Sequence, residues 1–123
     1  MQNHEPGGFV ATMEENLKKA VTELLLLSLL REREYYIGEL AERVREKSGG
    51  VLSIVFPYAA IYRLLDENAI EEVKKRIAPD GRKRQYYRIT EAGLLRCAQL
   101  RQTYDRFLAG VELILKEDER HEP

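Results

Sequence analysis

The sequence holds no tryptophan, one cysteine, two histidines and three phenylalanines in 123 residues, and each scarcity closes off some chemistry. Cys97 stands alone, so it forms no internal disulfide and nothing requires an oxidising compartment. Set in a helical pattern, it reads as a small packing residue. His4 and His121 both fall in end segments that read as frayed, and no Cys/His cluster has ligand spacing, so no metal is expected. No serine sits in a Gly-x-Ser-x-Gly turn and no Gly-rich loop follows a strand. The carboxylates are scattered along helix faces rather than paired. Neither catalytic residues nor a cofactor are therefore expected. The longest apolar run, Leu24 to Leu27 followed by Leu29 and Leu30, is far too short to span a bilayer. The first residues show no basic stretch leading into an apolar core, so no signal peptide and no membrane partner are expected, and the cytoplasm is the default location.

What is present is an ordinary globular balance in a chain of one-domain length. A core of this size is small, and a dimer would bury more. The formal net charge is only −1, but it is unevenly spread. Between positions 74 and 88 stand Lys74, Lys75, Arg76, Arg82, Lys83, Arg84 and Arg88 against Asp80 alone, a local charge of +6. A basic stripe on a neutral chain suits docking to an anion; the plain alternative is a solvated turn.

The pattern along the chain predicts four helices and a hairpin. Residues 1–12 read as a flexible tail broken by Pro6-Gly7-Gly8. Thr12, with Glu15 three residues on, resembles a capping box and starts the first helix near Met13. Leu17, Ala20, Val21, Leu24, Leu25 and Ser28 keep helical spacing, and further leucines on the other sides mark a central core helix. A second helix is expected over Ile37 to Lys47, ended by Gly49-Gly50. A third is expected from Phe56 to Asn68, with Pro57 in its first turn. Two strands, Ile70 to Ala78 and Gln85 to Ile89, flank the turn signal Pro79-Asp80-Gly81. A final helix follows the N-cap Thr90 and runs to about Glu117, before a tail at 118–123. Along it Leu100, Tyr104, Phe107, Val111 and Ile114 alternate four- and three-residue steps, the spacing of a coiled-coil seam.

Helix, helix, helix, hairpin, long helix is the winged helix-turn-helix plan: mainly α with a small β-hairpin. In such proteins the second helix of the pair enters the major groove, with contacts near its N-terminus. That makes Ser53, Tyr58, Tyr62 and Arg63 candidates for the groove, and Lys74, Lys75, Arg82, Lys83 and Arg84 candidates for phosphates. Arg63 has Glu67 at i+4 as a competing partner. The other reading is a winged-helix module that binds proteins and not DNA.

The run Gly81-Arg82-Lys83-Arg84-Gln85-Tyr86-Tyr87-Arg88-Ile89-Thr90-Glu91-Ala92-Gly93 resembles the wing-to-last-helix motif of PadR regulators, GRPRKYYRLTEAG, with Lys83 in place of proline. Tyr58 to Leu64 resembles the family's YPALHRL, with Pro57 and Ala59 standing where leucine and proline are usual. Glu39 to Val44 and Leu24 to Leu27 match the two earlier helices. The resemblance implies a homodimeric regulator of double-stranded DNA, usually a repressor, joined through its last helix and released in many members by a small effector. In this chain the interface would comprise the seam residues together with Leu17 and Leu24 of the first helix. A small hydrophobic effector would be a further partner. Tyr104 and Phe107 read as packing residues rather than as an aromatic sandwich around it. The resulting division is a tail to 12, a DNA-binding domain over 13–89, a dimerisation helix over 90–117 and a tail to 123.

Overall fold

The computed structural model describes the backbone of residues 6–120 and the side chains of 12–117; His4 and His121, and the outermost parts of both expected tails, lie outside these. Its elements run α1 (Pro6–Leu30), β1 (Tyr35–Tyr36), α2 (Ile37–Lys47), α3 (Tyr58–Asp66), β2 (Ile70–Ile77), β3 (Lys83–Ile89) and α4 (Glu91–Arg120). The fold is the expected winged helix-turn-helix, mainly helical with a small antiparallel sheet.

The leucine-rich stretch of α1 sits at the centre. Leu24, Leu26, Leu27, Leu29 and Leu30 are all buried, joined by Leu40 and Val44 of α2, Ile61 and Leu64 of α3, Ile70 and Tyr87 of the sheet and Cys97 of α4. Apolar side chains on several faces of one helix thus meet a partner on each. Cys97 is the small packing residue expected, its thiol 3.5 Å from the Ser28 hydroxyl where α1 crosses α4.

Several boundaries differ from expectation. The α-helix begins at Pro6, so Thr12 lies within it and not at its cap. At the third helix, Pro57 is the extended N-cap (φ −72°, ψ 147°), and helix begins only at Tyr58. Phe56 is instead a core residue, 2% exposed; its burial and that of Ile54 draw the chain extended up to the proline. Asn68 takes φ 60° just past the helix, the left-handed conformation expected of it. After α2, Gly49 and Gly50 also take positive φ, and their N–H groups donate to the carbonyls of Glu46 and Arg45. This closes the last turn of α2. The last helix continues to Arg120.

Strand β1 has no counterpart in the sequence reading. Two residues give no periodicity; the strand exists because Tyr35 and Tyr36 pair with Tyr87 and Tyr86 across the sheet. The sheet order is β1-β3-β2, with β3 central. The β2–β3 hairpin turns through Pro79-Asp80-Gly81. The Gly81 N–H donates to Ala78 O at 2.8 Å, Gly81 has φ 86°, and the Ala78 N–H donates to Arg82 O at 2.8 Å. This is a three-residue loop with glycine in the left-handed position, where its missing Cβ removes the steric cost. The register shifts between Val73 and Arg76, an irregularity in the outer strand.

Candidate nucleic-acid interface

Helix α3 buries Ala60, Ile61 and Leu64 and leaves the opposite side open. Tyr58 and Tyr62, one turn apart, are 63% and 57% exposed, and their rings stack with centroids 6.0 Å apart. Neither is used to close the core. Ser53 is exposed in the loop before the helix.

The wing lies against the start of α3. Tyr58 lines one open notch of about 310 Å³ together with Lys75, Lys83 and Arg84, and with Tyr36, Ile37, Gly38, Gln85 and Tyr87. Four of the nine candidate DNA-contact residues therefore share a surface built from α2, α3 and the hairpin. Lys74, Arg82, Ser53, Tyr62 and Arg63 are exposed but do not line that notch.

The cations differ in their freedom. Among the described residues, no ion pair or carboxylate hydrogen bond joins the side chains of Lys74, Lys75, Arg82 and Lys83, although the Asp80 carboxylate is near enough to Arg82 for the two charges to interact. The arginines deeper in the stripe have a carboxylate partner. Arg76 donates to Glu34 at 2.8 Å and lies 3.5 Å over the Tyr86 ring. Arg88 donates to Glu71 at 2.6 Å and approaches Glu34. Arg84 donates to Asp80 Oδ2 through Nη2 at 2.6 Å and Nε at 3.2 Å, and its guanidinium stands 5.1 Å over the Tyr36 ring. The hydrogen bonds to Arg84 and to the Arg82 N–H hold the Asp80 carboxyl below its usual range, and the same contact raises Arg84. The +6 already counts Asp80, and two carboxylates from outside the stripe, Glu34 and Glu71, oppose part of what remains.

Arg63 is paired as well, though not with Glu67. It donates to Glu23 of α1 at 3.2 Å, and Glu67 lies 3.6 Å from Arg96 instead. Glu23, only 14% exposed, is shared between Arg63 and Arg96 and ties α1 to α3 and α4. Helical spacing allowed the local pair, but packing of α1 beside α3 supplies a more buried carboxylate.

Of the residues assigned to a partner chain, Phe107 and Ile114 are 68% and 70% exposed, Tyr104 is 39% exposed and Leu17 51%. Val111 is half-buried, and Leu100 packs against the protomer's own core. Leu24 is a correction: it is 8% exposed inside that core, where it is not available to a second copy. Sequence reasoning missed Val51 and Val55, 77% and 81% exposed in the segment before α3, and Leu113 at 71% on α4. The alternation of buried Ile54 and Phe56 with exposed Ser53, Val55 and Pro57 is the signal that would have found Val55.

A two-helix unit with a basic wing at the mouth of its second helix defines a winged helix-turn-helix DNA-binding regulator. The chain belongs to the PadR-like family of transcriptional regulators, whose family model matches residues 26–99. Its structure is similar to that of a Streptococcus transcriptional regulator, 28% identical, with a TM-score of 0.66 over 80% of this chain and 95% of that one. It is similar also to a PadR-like transcriptional regulator from Bacillus cereus, 26% identical, with a TM-score of 0.67 over 81% and 96%. A PadR family regulator from Clostridium difficile shares the fold at 23% identity and a TM-score of 0.64, over 77% of this chain and 98% of that one. No curated protein matches the chain. Among the described residues, no helix is long and apolar enough to cross a membrane.

Proposed function

We propose that two copies of this chain bind a palindromic operator in duplex DNA and repress transcription there, in the cytoplasm. Residues 13–89 act as the DNA-binding unit and residues 90–117 as the dimerisation helix. The observation that carries this reading is the notch in which Tyr58 of α3 faces Lys75 and Lys83 of the wing, two cations without a carboxylate partner among the described residues. Helix α3 enters the major groove and presents Tyr58 and Tyr62, with Ser53 and Arg63 beside them. The wing, through Lys74, Lys75, Arg82 and Lys83, neutralises phosphates and releases their counterions. Two-fold symmetry sets the half-sites about one DNA turn apart.

The outward apolar residues of α4, Tyr104, Phe107 and Ile114, favour a second copy as the partner of that helix. A small hydrophobic effector that binds one dimer geometry better than another would shift the spacing of the two recognition helices and release the DNA.

The test is selection from a random duplex library, with the enriched sites titrated across salt. A palindromic motif bound with strongly salt-dependent affinity is the expected result. Absence of enrichment and of salt-sensitive binding to any duplex would overturn the reading in favour of a protein-binding winged helix.

A further inference from the structure

Arg84 holds a position no other arginine of the wing shares. It lines the notch with Tyr58, Lys75 and Lys83, and it also lines the adjoining crevice between α2 and the hairpin turn, together with Asp80, Glu39 and Arg43. Arg76 and Arg88, by contrast, are tied to Glu34 and Glu71 and border neither cavity. In the free protein the Arg84 guanidinium is committed to the crevice side, where two of its nitrogens donate to Asp80 Oδ2. A DNA phosphate in the notch asks for the same donors. The two oxygens of Asp80 divide their work: Oδ1 accepts from the Arg82 N–H at 3.0 Å and braces the turn, and Oδ2 takes Arg84.

On the reading that the wing grips phosphates, we propose that Asp80 is an internal counterion that occupies Arg84 in place of DNA. Binding exchanges a carboxylate for a phosphate, and the net gain from Arg84 is small. The wing is thereby held below its full affinity for any duplex, and sequence-specific contacts from α3 carry a larger share of the binding. Lys75 and Lys83 supply the standing attraction; Arg84 is a reserve that Asp80 restrains. An exposed ion pair contributes little to folding, which suits a contact that must be exchanged easily.

The experiment measures affinity for a labelled duplex of arbitrary sequence by fluorescence anisotropy, at fixed salt, for wild type, Asp80→Asn, Arg84→Ala and the double variant. Asparagine keeps the oxygen that braces the turn, and a thermal melt checks that the hairpin survives. Asp80→Asn is expected to tighten binding about two- to fivefold, the range of one exposed ion pair. In the Arg84→Ala background that gain is expected to fall to the level of a general charge removal, which Glu72→Gln measures, because the restrained guanidinium is gone. Glu72→Gln removes the same charge from β2, where no arginine partners it among the described residues; its effect is expected to be the same with or without Arg84. A gain from Asp80→Asn that persists undiminished without Arg84 would reduce Asp80 to a general repulsion of DNA and overturn the proposal, as would no gain at all. Both of those outcomes leave wild-type binding intact. If wild type binds no duplex, the function proposed above fails and this inference falls with it.

Discussion

At the scale of single residues, Gly93 shows what the junction between wing and last helix demands. A Cβ there would drive into the Ala69 carbonyl oxygen and stand 2.7 Å from Ile89 Cγ1. The approach is close because the Thr90 N–H donates to Ala69 O at 3.0 Å and its hydroxyl to Asn68 O at 2.6 Å, while the same hydroxyl caps α4 by accepting from the Gly93 N–H. Gly93→Ala should cost about 1–3 kcal/mol, the range for overpacking against a backbone that cannot yield, as read by urea unfolding. Unchanged stability would mean that α4 can slide along its axis. A second residue-scale expectation concerns Asp80. Its folded value lies below the ordinary 3.8, so the stabilisation it gives the turn is present above that value and lost as pH falls through the lower, folded one. An NMR titration of its carboxyl carbon should place the midpoint below 3.8. A midpoint at or above it would mean that the pair with Arg84 does not persist in solution.

At the scale of elements, the wing and α4 make separate claims. Lys83 carries a free cation into the notch, so Lys83→Ala should flatten the dependence of log affinity on log salt by about one unit and weaken all duplexes alike. An unchanged slope would remove Lys83 from the phosphate contacts. Helix α4 leaves the core after Leu100, and every residue from 101 to 110 is exposed in the single chain. The stretch of α4 beyond Leu100, with Phe107 and Ile114 open to water, gains little packing from the protomer it belongs to. Phe107→Glu should therefore yield monomers by light scattering with the winged domain still folded by circular dichroism. A dimer that persists would place the interface on another face.

At the scale of the whole molecule, the proposed function would depend on distance between copies more than on any one contact. One chain presents one α3 and one wing. In the proposed dimer, a second copy held by the C-terminal helices would set the half-site spacing that makes a palindrome readable. On that proposal affinity and specificity would divide between elements: the wing's lysines would attract any duplex, and the exposed edge of α3 would choose among duplexes. The proposed restraint on Arg84 would move that division toward choice.

The sequence by itself determined the element types, their order and the register of apolar faces, because helical spacing and turn chemistry act over a few residues. Ile37 to Lys47, the left-handed Asn68 and the hairpin turn were all legible for that reason. So was the choice of α3 and the wing as the candidate DNA surface, since tyrosines off the apolar stripe and clustered cations show in the order of residues along the chain. Tertiary structure decided what depends on residues far apart in the chain. It made a strand of Tyr35–Tyr36 by offering it an edge of β3, and it moved the start of α3 past Phe56 by burying that ring. It turned Leu24 inward and gave Arg63 to Glu23 over Glu67. It also separated free cations from paired ones by placing Glu34 beside Arg76 and Arg88. Charge counted along a chain adds without regard to direction, whereas Coulomb attraction falls with distance in space, so only the fold could say which of the wing's positive charges are left for DNA.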